Sequence, residues 1–261
     1  MGSIIKNYTY DTVVVVLFLL PALICCLEEP IFRSKATYYH AIDGLGTPRG
    51  GCGYGEYGRI INNGDVAVVT SSKLYKGGAS CGACYKVKCK EAVCKEDGVV
   101  VMVTDYGVSD GETDFILSSN AFNKMAMPNY EKELRDDGRV PIEYQRVACQ
   151  FPGKSLALKV AEHSRFPSYL SFQFLYQAGD ADITAVEMFE EEALEWKRCR
   201  RAYGAVWDIA NPPRGPLTVR FFLDGSVSKR ARWVLVPKVI PTYWQAGVAY
   251  DTSIQLNQLD N

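Results

Sequence analysis

Ser80-Cys-Gly-Ala-Cys-Tyr-Lys-Val-Lys-Cys-Lys-Glu-Ala-Val-Cys94 packs four cysteines into fifteen residues. Two more, Cys52 and Cys149, bracket the stretch, and Cys199 stands alone further on. An even set confined to one half of a chain reads as a disulfide frame, provided the compartment is oxidising. Cys81 and Cys84 also have the CxxC spacing of a metal knuckle, but no second CxxC follows, and His40 and His163 lie outside the cluster. No βαβ pattern surrounds the pair, which argues against a redox motif. Six cysteines allow 15 pairings, and spacing alone leaves them open. Cys199 reads as a small buried hydrophobe.

The chain's beginning supplies the oxidising compartment. Val13 to Leu20 (VVVVLFLL) is an apolar run followed by Pro21 and small or apolar residues through Cys26. It is shorter than the roughly 20 residues of a membrane span. It has the layout of a secretory signal peptide over residues 1–26. The net charge of −1 provides no field for nucleic acid or acidic lipid. With 22 Gly and 16 Tyr, the composition favours a turn-rich, all-β protein.

Short apolar runs punctuated by turns bear this out along the chain. Val66–Thr70, Tyr85–Cys89, Val99–Thr104 and Val140–Cys149 read as strands, and Ser118–Met127 as a short helix. Gln150–Ser155 (QFPGKS) reads as a boundary between units at 34–151 and 156–255. In the second unit, strand signals recur at Leu156–Val160, Leu170–Tyr176, Ile183–Met188, Leu217–Phe221 and Ala231–Leu235, the spacing of a sandwich. Leu170, Phe172, Phe174 and Tyr176 are expected on one face.

Six motifs in order then carry a family likeness: Ala36-Thr-Tyr-Tyr39, Gly50-Gly-Cys-Gly-Tyr-Gly55, Ser80-Cys-Gly-Ala-Cys-Tyr85, Val103-Thr-Asp105, Tyr144-Gln-Arg-Val-Ala-Cys149 and Pro241-Thr-Tyr-Trp-Gln-Ala-Gly247. Over residues 34–251 the chain resembles plant expansins. Asp43-Gly-Leu-Gly-Thr-Pro48, Gly55-Glu-Tyr-Gly-Arg-Ile60 and Asn211-Pro-Pro-Arg-Gly-Pro216 look most like the expansin-like B branch. The resemblance implies a six-stranded double-psi β-barrel, similar to family-45 endoglucanases, followed by an immunoglobulin-like, polysaccharide-binding sandwich. It also implies the pairings Cys52–Cys81, Cys84–Cys149 and Cys89–Cys94.

Such endoglucanases cut β-1,4-glucan by inversion, which needs an acid and a base about 6.5–9.5 Å apart. In Thr113-Asp-Phe-Ile-Leu-Ser118, the acid's place falls on Ile116, with Asp114 two residues before it. The second carboxylate is also missing; Arg49 is nearest to its place, with Asp43 further upstream. Asp105 is the one groove carboxylate that the resemblance carries over, with Thr37, Tyr38 and Tyr39 beside it. Asp105 can also be read as a turn residue bonding local backbone. In the sandwich, Tyr169 and Tyr203 match positions where the family exposes a row of aromatics. Trp207 is expected in the core, and Trp196, Trp233 and Trp244 in core or edge packing. The basic run Lys197–Arg201 reads as a solvated loop rather than a pectin contact.

The expectation is therefore a secreted, monomeric cell-wall protein. It would hold cellulose, xyloglucan or xylan without cutting it. No cofactor, metal, nucleic acid or, once the leader is removed, membrane is expected. Two alternatives remain: a weak glycoside hydrolase using Asp105 and Asp114, and a secreted interaction module without carbohydrate binding.

Overall fold

The computed structural model describes residues 30–108, 110–225 and 230–258. The leader read at residues 1–26 lies outside the described residues.

Six strands close the first barrel: β1 (Phe32–Tyr39), β2 (Val66–Val69), β3 (Cys84–Cys89), β4 (Val99–Tyr106), β5 (Thr113–Ser118) and β6 (Arg139–Val147). Their order around the barrel is β1-β5-β2-β4-β3-β6. Two pairs, β1/β5 and β2/β4, run parallel, so their connections must cross the barrel ends. β2 is Val-Ala-Val-Val and wholly buried, as a strand covered on both sides should be. β6 alternates instead, with Val140, Ile142 and Tyr144 turned inward.

Four short helices fill the connections: α1 (Glu56–Ile60), α2 (Ser72–Tyr75), α3 (Ser119–Met125) and α4 (Glu131–Asp137). The Ser118 hydroxyl accepts the Ala121 N–H at 3.2 Å and caps α3. α4 gave no sequence signal because Leu134 is its one buried residue, too few to show a helical period.

The three disulfides Cys52–Cys81, Cys84–Cys149 and Cys89–Cys94 are formed, with Cα separations of 5.5, 5.2 and 5.8 Å. Cys84–Cys149 ties the start of β3 to the residues after β6. Cys52–Cys81 ties the glycine-rich loop before α1 to the loop before β3.

The second unit is a sandwich of nine strands: β7 (Ala157–Val160), β8 (Tyr169–Leu175), β9 (Asp182–Glu190), β10 (Glu195–Arg198), β11 (Arg200–Tyr203), β12 (Val206–Ala210), β13 (Leu217–Asp224), β14 (Arg232–Ile240) and β15 (Ala249–Asp251). One sheet has the order β10-β9-β13-β14, and the other the order β11-β12-β8-β7-β15. Leu170, Phe172 and Phe174 fill the space between the sheets, where Phe174 meets Phe221 edge-on at 4.9 Å. Tyr176 does not join them. The strand ends at Leu175, Tyr176 turns to a φ of 59°, and its ring packs at 5.2 Å against Tyr57 of the barrel.

The basic run is also not a loop. Lys197 lies on β10 and pairs with Glu190 at 2.6 Å; Arg200 and Arg201 lie on β11. Opposite charges on the neighbouring strands, Glu190 and Asp208, hold Lys197 and Arg200 in the sheet. Cys199 is buried between the strands, and burial pushes its thiol up to about 12. Trp207 and Trp244 are buried. Trp196 and Trp233 sit on the outer face, on either side of the Arg220 guanidinium at 4.0 and 4.6 Å.

Barrel and sandwich are packed together. Asp182 is buried and accepts from Arg146 at 2.5 Å and Lys76 at 3.0 Å, both barrel residues. Arg201 of the sandwich donates in the other direction to the barrel carbonyl of Gly78 at 3.2 Å, and within its own unit to the carbonyls of Gly204 at 2.7 Å and Ile183. A Cβ on Gly78 would stand 2.5 Å from the Gly204 oxygen, so these backbones approach as only glycine allows.

Candidate carbohydrate-binding surface

The strand register builds the barrel's cleft. Thr37 on β1 pairs with Ile116 on β5, Ile116 with Val68 on β2, and Val68 with Asp105 on β4. Paired residues share a face, so these four form one row across the strands. At about 4.8 Å per strand, Ile116 and Asp105 lie roughly 10 Å apart. Asp105 is therefore the only carboxylate of the row, opposite an isoleucine. Asp114 is two residues along β5, roughly 7 Å from Ile116. Its carboxylate is engaged elsewhere, accepting the hydroxyl of the core residue Tyr144 at 3.3 Å.

Asp105 has a structural task as well as an exposed side. Its Oδ1 accepts the backbone N–H groups of Gly51 at 2.5 Å and Tyr106 at 2.7 Å. Its Oδ2 accepts no hydrogen bond among the described residues. The two sequence readings of this residue, groove carboxylate and turn aspartate, thus describe different oxygens. A Cβ on Gly50 would lie 2.5 Å from the Thr104 oxygen, which explains the glycine pair in the loop held by Asp105.

Tyr39 is half-buried, and its hydroxyl is pushed above its ordinary range by burial and then by Asp105 and Asp43. It therefore remains a neutral donor beside two carboxylates. Thr37 donates its hydroxyl to Gly138 O at 2.7 Å and keeps its acceptor lone pairs. Tyr38 differs from its expected groove position. Its ring packs at 4.7 Å against Phe122 of α3, and its hydroxyl donates to Arg135 O of α4. Alternation along β1 sends it to the opposite side from Thr37 and Tyr39. Arg49 is exposed, and its backbone N–H is held by the Thr47 hydroxyl at 3.2 Å.

Two tyrosines escaped the sequence reading. Tyr75 and Tyr106 stack at 4.1 Å with their planes 12° apart. Tyr106 follows Asp105 as the last residue of β4, beside the Thr37–Asp105 row rather than in it; it is 42% exposed and lines a cleft of about 570 Å³ with Thr70, Ser71, Ser72, Gly107 and Val108. Tyr75 meets the backbone of Gly204 in the sandwich. Position beside the Val-Thr-Asp motif was the available signal for Tyr106. Tyr75 ends the four-residue helix α2, too short to show a period that would expose it.

The surface continues on the sandwich's five-stranded sheet. Tyr203, 53% exposed, ends β11 where the barrel begins; a Cβ on Gly53 would lie 2.8 Å from its ring. Tyr169 lies two strands away on the same outer face, roughly 16 Å off by strand spacing and rise. Between them Asp208 accepts the Tyr169 hydroxyl at 2.8 Å and a bidentate pair from Arg200 at 2.9 and 2.6 Å. Arg200 holds the Asp208 carboxyl below the usual carboxylate range.

Residues 156–241 match the family described as Expansin C-terminal domain, and residues 67–144 the one described as Lytic transglycolase. Expansin-like B1 of Arabidopsis thaliana is 48% identical over 92% of this chain and 94% of its own. Expansin-like B1 of Oryza sativa is 42% identical over 85% of this chain and 87% of its own. Among solved structures, the Clavibacter michiganensis expansin aligns with a TM-score of 0.64 at 22% identity, covering 87% of this chain and 98% of that one. A mutant of that expansin in complex with cellohexaose aligns over the same shares of both chains, with a TM-score of 0.63 and 23% identity. The motifs read from the sequence, the closed barrel with its following sandwich and these relatives agree: the chain belongs to the expansin family.

Proposed function

We propose that the protein is a secreted, monomeric cell-wall protein that binds cellulose, xyloglucan or xylan and loosens contacts between wall polymers without hydrolysis. The strand would run from the Asp105 cleft over Tyr106 and Tyr75 to Tyr203 and on to Tyr169. The observation that carries this reading is the row Thr37–Ile116–Val68–Asp105, with tyrosines continuing it onto the sandwich. Flat sugar C–H faces stack on tyrosine rings, and Tyr39 and Asp105 offer a hydroxyl donor and a free carboxylate oxygen to sugar hydroxyls. Inversion needs a carboxylate on each side of the scissile bond. Ile116 can neither give nor take a proton. Asp114 lies beyond hydrogen-bond reach of a bond held opposite Asp105 and is engaged by Tyr144, which weighs against the Asp105/Asp114 hydrolase. A bacterial structural neighbour crystallised with cellohexaose supports a linear glucan as ligand class. The leader sequence and the disulfides support secretion.

The test is depletion of the purified protein on insoluble cellulose, xylan and xyloglucan-coated cellulose, wild type against Tyr169→Ala with Tyr203→Ala. Binding that falls in the double variant supports the reading. Absence of wild-type binding to all three would favour an interaction module without carbohydrate affinity.

A further inference from the structure

The loop Asn211-Pro-Pro-Arg-Gly-Pro216 faces Phe166–Ser168 and Thr242–Trp244 across a cleft of about 470 Å³. The cleft lies at the end of the sandwich reached through Tyr169 and Ala210, opposite the end where Tyr203 meets the barrel. Its walls are aromatic: Phe166 stands edge-on to buried Trp244 at 5.3 Å and 6.1 Å from Tyr243. Both rings stand on turns, with Phe166 50% and Tyr243 79% exposed. The frame is stiff. Pro212 and Pro213 are buried, and the Asn211 N–H donates to Ser168 O at 2.8 Å. The polar groups are few and of one kind. Arg214 is exposed and makes no hydrogen bond or ion pair among the described residues, while Asn211, Thr242 and Ser168 add neutral donors. No acidic residue lines the cleft among the described residues.

A neutral sugar could accept from the guanidinium but would leave its charge unmatched, and an inorganic anion would leave the rings unused. We propose that this cleft binds one uronosyl residue of an acidic wall glycan. The flat face of its pyranose ring lies on Tyr243, with Phe166, tilted 57° to that ring, against its edge, and its carboxylate takes the paired N–H groups of Arg214. The cleft is separate from the Asp105–Tyr169 surface and gives the protein a charge-selective second contact.

The experiment is calorimetric titration of the intact purified protein with three probes: trigalacturonate, a glucuronosyl xylo-oligosaccharide and cellohexaose. At least one acidic probe binds, more weakly as salt rises. Its affinity drops about tenfold or more in Arg214→Gln and in Tyr243→Ala. Cellohexaose affinity is unchanged in both variants, which separates this site from the glucan surface. Both side chains are exposed, and matched unfolding midpoints check the fold. The wild type alone gives a second readout: methyl esterification of the bound acid weakens it by a similar factor. Which acid binds identifies its source, pectic or xylan. Failure of both acids to bind, equal binding of the ester, or unchanged affinity in Arg214→Gln would overturn the proposal.

Discussion

At the residue scale, the proposed difference between holding and cutting a strand involves position 116, where an isoleucine stands in the row of Asp105. Sequence counting placed Ile116 at the acid's place, and the register then put it directly in line with Asp105. What counting could not supply was the bond from Asp105 to Gly51, because it joins residues 54 apart in sequence. Asp105→Asn should therefore do two things. Weakening a charge-assisted bond to two backbone N–H groups should cost about 1–3 kcal/mol in chemical denaturation. It should also lower affinity for cello-oligosaccharides. Tyr203→Ala, by contrast, removes an exposed ring and should leave the denaturation midpoint in place while lowering cellulose affinity several-fold, the effect of roughly 1 kcal/mol of stacking.

At the scale of elements, alternation made the long strands legible, and the cysteine spacing announced a frame. The misses have physical causes. β10 and β11 were hidden because Lys197 to Arg201 is almost wholly basic, and only their acidic partners Glu190 and Asp208, on other strands, make such strands stable. Tyr38 was misplaced because its motif gives a strand but not which face meets helices α3 and α4. The frame's value follows from loop length: Cys84→Ser with Cys149→Ser opens a 65-residue span and should cost about 4 kcal/mol in denaturation. Opening the 5-residue span of Cys89–Cys94 should cost about half that. The Arg200–Asp208–Tyr169 chain adds a pH dependence. Asp208 has a lowered folded pKa, so its stabilisation is full above about pH 4 and is lost as pH falls through the folded value. The drop in stability from about pH 6 to about pH 3 should be smaller in Asp208→Asn than in wild type.

At the scale of the molecule, buried charge joins the two units, as the proposed continuous surface requires. Nothing in the sequence linked Asp182 to Arg146 and Lys76, since an ion pair across an interface has no local pattern. Arg146→Ala would leave Asp182 buried without its main partner, and should cost about 3–5 kcal/mol. On the proposed path, it should also weaken long cello-oligosaccharides, which would span Asp105 and Tyr169, more than short ones that would occupy a single unit. Titration with a length series measures that difference.

Binding without cleavage is the property to test first. The most direct measurement incubates pure protein with cellulose and with soluble β-1,4-glucan, following bound protein and new reducing ends in the same samples. The expected result is bound protein with reducing ends at the level of the protein-free control, in wild type and in Asp105→Asn alike. Sustained release of reducing ends by the wild type, abolished in Asp105→Asn, would contradict it.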